Sequence, residues 1–219
     1  LIISGLFETK NGSYEAIEFY AVRDIENLSQ FRVGISSGTS SAEHTLSNTS
    51  LSAGQYYMIY YNSNWSNFFS DETSSSYKTQ YISDVNSLSS GHFNISLWNN
   101  KNGSFKKVDA YGDDTKSAAG SAWDLDEGWA YRKNGRGAST TFNIDDWNIE
   151  KGEFKVVGGT STNGNDFVAN SYPLFKFSGP SEYIGVNNDT LTIVRTPLNL
   201  DDKNYRVLVS TPAFKCDTV

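Results

Sequence analysis

One cysteine, two histidines, one methionine and four prolines in 219 residues leave little for several kinds of chemistry. With Cys216 alone, no disulfide forms within the chain, and a chain of this length can bury a core without one. His44, His92 and Cys216 do not make the clustered ligand set of a structural zinc. No G-x-S-x-G elbow accompanies either histidine, so the signature of a serine hydrolase is missing. No apolar run approaches the roughly 20 residues of a membrane-spanning helix. No stretch repeats apolar residues at three, four and seven over several turns, so helix is expected to be scarce. Basic charge is also short. Lys and Arg number 18 against 25 Asp and Glu, a net charge of −7, which disfavours nucleic acid and anionic lipid as partners.

What the chain does have is aromatic residues, 14% of the total, with 13 Tyr, 13 Phe and 5 Trp. Tyrosine in such numbers suits half-buried strand faces, where the ring packs and the hydroxyl stays wet. Period two dominates the pattern. Residues 1–8 (LIISGLFE) read as a first strand. In residues 14–22, Ile17, Phe19 and Ala21 share one face, and Glu18 and Tyr20 the other. Residues 31–35 form another strand. Residues 55–61 (QYYMIYY) are apolar on both faces and read as a central strand. Residues 92–98 put Phe93, Ile95 and Leu97 on one side. Asn102-Gly103 supplies the positive-φ pair of a type I′ turn, making residues 92–98 and 104–111 antiparallel partners. Residues 36–50 and 63–76 read as irregular, the second with room for one helical turn around Trp65, Phe68 and Phe69.

The run SYEAIEFYAVRDIENLSQFRVG at 13–34, Trp129-Ala130-Tyr131-Arg132, and Trp147 with the strand after it resemble a lamin-tail-like β-sandwich domain. The resemblance covers residues 1–177. It implies an all-β, immunoglobulin-like β-sandwich attached to larger extracellular proteins, sometimes beside nuclease domains. From about residue 178 the rhythm changes. DTLTIVRTPLNLDDKNYRVLVSTPAFKCD resembles the second half of an immunoglobulin-like repeat of very large exported proteins of the Bacteroidota. The expected organisation is therefore a sandwich over 1–177 and an incomplete immunoglobulin-like module over 178–219. Leu1 is not a natural start, so the chain reads as a mature or excised piece.

Among sites with chemistry, calcium is the leading candidate. Asp113, Asp114, Asp124 and Asp126 are hard oxygen ligands in short runs, with Glu127, Asp109, Asp145 and Asp146 adding to the acidic inventory. The D-x-D-x-D-G spacing of an EF-hand is absent, and solvated turns are the simpler reading of the same residues. In GWAYRKNGRG, Trp129 and Tyr131 read as core-facing, with Arg132 paired to an acid such as Asp124. A basic-aromatic binding patch is the rival reading. Paired catalytic carboxylates cannot be recognised from spacing, since the acids fall mostly in turn-like segments.

The Bacteroidota resemblance implies O-glycosylation at Asp-[Ser/Thr]-apolar triplets. Asp189-Thr190-Leu191 and Asp217-Thr218-Val219 fit, marking Thr190 and Thr218. It also implies export by the type IX route, a place on the bacterial cell surface, and a part in gliding or attachment. The expectation is a chain that is not an enzyme and has no certain cofactor, with calcium as the candidate. Its partners would be extracellular or cell-surface proteins or glycans, and the export machinery during secretion, with no nucleic acid and no membrane insertion. The alternatives are an accessory domain of an extracellular hydrolase and a carbohydrate-binding module using Trp65, Phe68 and Phe69.

Overall fold

Alternating apolar residues become two facing sheets. The computed structural model describes residues 1–8, 15–37, 40–61, 77–82, 92–100, 103–125, 127–152, 172–180, 183–184 and 192–193. The strands are β1 (Ile2–Glu8), β2 (Glu15–Tyr20), β3 (Phe31–Ser37), β4 (Ser40–Thr45), β5 (Tyr56–Tyr61), β6 (Tyr77–Tyr81), β7 (Asn94–Asn99), β8 (Lys106–Tyr111), β9 (Trp129–Arg132) and β10 (Trp147–Glu150). A six-stranded sheet runs β10-β9-β1-β2-β5-β6 and a four-stranded sheet β4-β3-β7-β8. Among the described residues, helix is confined to short 3-10 turns such as Leu28–Gln30, capped by Asn27. The chain is thus an all-β sandwich, as expected.

The inner faces meet as the sequence pattern requires. Ile17 and Phe19 of β2, Ile59 of β5, and Phe93, Ile95 and Leu97 at β7 are all buried in one core. β5 lies between β2 and β6, the central position expected of a strand apolar on both sides. The β7–β8 hairpin has the register Asn99↔Lys106, symmetric about Asn102-Gly103, and Gly103 has φ +81°. Asn102 itself lies outside the described residues, as do residues 63–76 with Trp65, Phe68 and Phe69.

Two expectations need correction, on residues 36–50 and on the partner of Arg132, and the core-facing reading of Trp129 and Tyr131 holds on another face. Residues 36–50 are not irregular throughout, because Ser40–Thr45 forms β4 against β3. His44 therefore sits on a strand rather than in a loop. Trp129 and Tyr131 are buried, but not between the sheets. They face outward from the six-stranded sheet, in a second core with Phe7, Tyr20, Tyr56 and Met58. Arg132 does not meet Asp124. It points between the sheets and pairs with Asp109.

That outer core is closed by residues 172–177. Tyr172 and Phe177 are buried there, with Tyr172 edge-on to Phe7 at 4.9 Å between centroids. Backbone groups of the segment find partners on the sheet below, as buried polar groups must. The N–H groups of Lys176 and Phe177 donate to the Tyr131 hydroxyl at 2.9 and 2.6 Å. The Tyr56 hydroxyl donates to the Phe177 carbonyl at 2.7 Å. Glu18 accepts from the Phe175 N–H at 3.0 Å and from the Ser4 hydroxyl at 2.7 Å.

Between the sheets, Arg132 and Asp109 tie strands of both together. Arg132 Nη2 donates to both Asp109 oxygens at 2.8 Å, Nε to the Ile3 carbonyl at 2.7 Å and Nη1 to the Gly137 carbonyl at 2.7 Å. Its guanidinium lies 4.4 Å from the centre of the Trp147 ring. Asp109 also accepts from the N–H groups of Ile3, Ala110 and Ser139. The irregularity in the β7–β8 register, between Leu97 and Trp98, leaves Val108 without an opposite number and turns Asp109 inward beside Tyr111.

The chain divides into two units, Leu1–Pro180 and Ser181–Val219. In the second, β11 (Tyr183–Ile184) and β12 (Thr192–Ile193) form an antiparallel pair. Residues 205–209 of the expected immunoglobulin-like module, the glycosylation candidates Thr190 and Thr218, and Cys216 lie outside the described residues.

Candidate functional site

Past the end of β8 the chain opens a cleft of about 560 Å3 in the first unit. One wall is residues 112–116, the other residues 140–144, with Trp123 and Phe142 as its large rings. The first wall begins at Gly112, whose φ of +79° turns the chain away from the strand. Only glycine fits there. A Cβ would run into Asn94 Oδ1 and Trp123 Nε1. Asp113 then folds the chain back on itself, its Oδ1 accepting from the Thr115 N–H at 3.0 Å and hydroxyl at 2.6 Å. The Lys116 N–H closes the turn on the Asp113 carbonyl at 2.9 Å.

Trp123 is fixed at three points. Its indole N–H donates to Asn94 Oδ1 at 2.8 Å, its carbonyl accepts from the Tyr111 hydroxyl at 2.6 Å, and its ring meets Phe142 edge-on at 5.5 Å. The Phe142 ring rests edge-on against Tyr111 at 5.4 Å. On the second wall, the Ser139 hydroxyl donates to the Thr141 carbonyl at 2.7 Å, and Asn143 caps the short turn Ile144–Asp146. Ile144 is 40% exposed at the rim, one of the few large apolar side chains left open to solvent among the described residues.

The charges in the cleft cancel in pairs. Lys107 Nζ meets Asp114 Oδ2 at 2.5 Å and Lys116 Nζ meets Asp113 Oδ2 at 2.9 Å. Hydrogen bonds from the Thr115 and Lys116 side chains hold the Asp113 carboxyl low, at about 2. The Asp113 carboxylate is thus ionised near neutral pH and matched by Lys116. The remaining polar groups are the hydroxyls of Thr140 and Thr141 and the amide of Asn143. A site of this kind offers aromatic surface, hydroxyls, an amide and compensated charge. It suits a neutral, hydroxyl-rich ligand better than an ion.

Of the four residues expected to gather on calcium, Asp113 and Asp114 share the cleft, each turned to a lysine. Asp124 is directed elsewhere. It is 4% exposed and accepts from the Gly120 N–H at 2.7 Å, with His92 Nδ1 also 2.7 Å away. Asp126 lies outside the described residues. No three His, Cys, Asp or Glu side chains converge on a metal position among the described residues.

Two features escaped sequence reasoning. The pairing of His92 with Asp124 spans 32 residues, and no spacing rule connects them. Thr140–Ile144, the second wall, carries no motif at all and is brought to Trp123 only by the path from β9 to β10. No protein-family model matches this chain, and no curated protein matches it.

Proposed function

We propose that the chain is a non-catalytic recognition module that binds a neutral glycan in the cleft between residues 112–116 and 140–144. The observation that carries this reading is the cleft itself, with rings that are held in place and charges that are already paired. An aromatic ring flanked by hydroxyl, amide and carboxylate groups can stack on the apolar face of a sugar while bonding its hydroxyls. Two lysine–aspartate pairs at the rim leave no uncompensated charge to demand an ionic ligand. Among the described residues lining the cleft there is no imidazole or thiol to serve as a general base or nucleophile.

The setting proposed for this activity is the outside of a bacterial cell, in adhesion, surface attachment or partner binding within a larger exported protein. This part rests on the lamin-tail-like and immunoglobulin-like resemblances. Glycosylation of Thr190 and Thr218 belongs to the same proposal.

Glycan-array screening of the full chain, followed by calorimetry on the ligands found, tests the assignment. A glycan ligand is expected to bind, with Trp123→Ala weakening it about tenfold or more, the loss of one stacking ring. Because Trp123 also supports the fold, Thr141→Ala is the companion variant. It leaves the rings in place and is expected to weaken binding several-fold at unchanged melting temperature. An array without a ligand, or binding indifferent to both variants, overturns the assignment of the cleft.

A further inference from the structure

The last residue of β1 and the first of β2 carry a pair of carboxyl groups that the cleft does not use. Glu8 and Glu15 are register partners across the two antiparallel strands. Residues so placed have Cβ atoms about 4.5–5.5 Å apart, on the same face of the sheet. That face is the inner one, because Leu6 and Ile17, two residues away, belong to the core between the sheets. Like charges directly opposed destabilise a strand pair. Here both are also sealed from water, Glu8 at 3% and Glu15 at 0% exposure.

Among the described residues the pair is only partly satisfied: the Glu127 backbone N–H bonds to the Glu8 carboxyl. Oε2 of Glu8 and both carboxylate oxygens of Glu15 have no hydrogen-bond partner among the described residues. The ionisable side chains that act on Glu8 are Glu15, Glu127 and His92, with no lysine or arginine among them in the described residues. His92 has already given its Nδ1 to Asp124. The other buried carboxylates described above are treated differently. Asp109 has a guanidinium and three N–H donors, and Glu18 has a hydroxyl and an N–H. Buried charges are paired or coordinate metals, and an orphaned buried polar group calls for an ion or water to complete it.

We propose that Glu8 and Glu15 are two oxygen ligands of a hard divalent cation, calcium foremost, held at the end of the sandwich where β1 and β2 meet. Two carboxylates supply up to four oxygens, and backbone carbonyls and water complete such a shell. The ion would cancel the repulsion across the strand pair. The site is separate from Asp113, Asp114, Asp124 and Asp126, the calcium candidates named from the sequence, and it is independent of the glycan cleft.

The test begins with the full chain stripped by chelator at pH 8. On adding back calcium, metal analysis is expected to find one bound ion per chain, and 1 mM calcium is expected to raise the melting temperature by about 5 °C. Glu15→Gln is expected to abolish the rise and to melt higher than the stripped parent protein, since it removes a buried charge. Asp145→Asn, an exposed acid away from the pair, is expected to keep the rise. If Glu15→Gln does not fold, Glu8→Gln takes its place. Terbium luminescence on the unaltered protein, with calcium as competitor, needs no variant. Melting curves that coincide in calcium, magnesium and chelator, without bound ion or terbium signal, overturn the proposal, as does a calcium response that survives Glu15→Gln.

Discussion

Replacing Arg132 with methionine removes the guanidinium from between the sheets and leaves its packing volume nearly filled. Four hydrogen bonds disappear, two of them to Asp109, along with the contact over Trp147. Removing one partner of a buried ion pair costs about 3–5 kcal/mol, because the other charge is stranded. Asp109 keeps three N–H donors, from Ile3, Ala110 and Ser139, which places this variant near the low end, about 3 kcal/mol. Asp109→Asn strands the guanidinium instead, which among the described residues has no other acid bonded to it and only the more distant charge of Asp146 acting on it, so its cost is expected at about 4 kcal/mol. The double variant Asp109→Leu/Arg132→Met strands neither charge. It is expected to be more stable than the sum of the single losses by at least about 2 kcal/mol. Urea titrations of the parent and variants at pH 7 measure all of these. In a unit of this size, about 3 kcal/mol also appears as a fall of roughly 6–12 °C in melting temperature. An Arg132→Met cost below about 1 kcal/mol, or losses that simply add, would refute the view that this pair ties the sheets together.

The pH dependence of stability and the geometry of the cleft give two more tests. Burial pushes the Glu18 carboxyl up to about 7 from its ordinary 4.5, despite the bonds from Phe175 and Ser4 that favour its charged form. Below about 4.5 both states hold the proton and its contribution is whole; above that the unfolded chain releases it first, so stability falls as pH rises, by up to about 3 kcal/mol, until the folded carboxyl also ionises near 7. Glu18→Gln is expected to remove that share of the decline in urea midpoints between pH 4.5 and 8, and parallel curves for the two proteins would contradict it. Gly112→Ala, at φ +79° and against Asn94 and Trp123, is expected to cost about 2 kcal/mol or more and to weaken ligand binding in the cleft. Gly120→Ala, at φ +71° with open space around its Cβ position, is expected to cost only about 1 kcal/mol and to spare binding; equal effects from the two glycines would show that Trp123 is not held as described.

The strands whose sequence carries a strong period-two signal were legible, and those without one were not. Residues 92–98 announce which side is buried, because Phe93, Ile95 and Leu97 alternate with polar neighbours. β4 (SSAEHT) and β6 (YKTQY) do not, since both lie at sheet edges where polar residues are tolerated and serve to blunt the edge. Asp113 and Asp114 could be singled out as neighbours in the chain, but their lysine partners could not. Lys107 arrives from the strand before the turn, and Lys116 reaches back from its end. Glu8 and Glu15 gave no warning at all, since each reads as an ordinary polar strand end.

By itself, then, the sequence determined an all-β chain, its inner-facing residues and its principal hairpin, because alternation and turn chemistry are local properties of the backbone. Tertiary structure decided which second face would be covered, when residues 172–177 came to lie on Trp129 and Tyr131. It also decided which acid would meet Arg132. Asp109 is 23 residues away, and only the packing of the two sheets, with the irregular β7–β8 register that turns it inward, brings the charges together. Periodicity says which side chains share a face. What lies opposite that face is set by the folding of the whole chain around it.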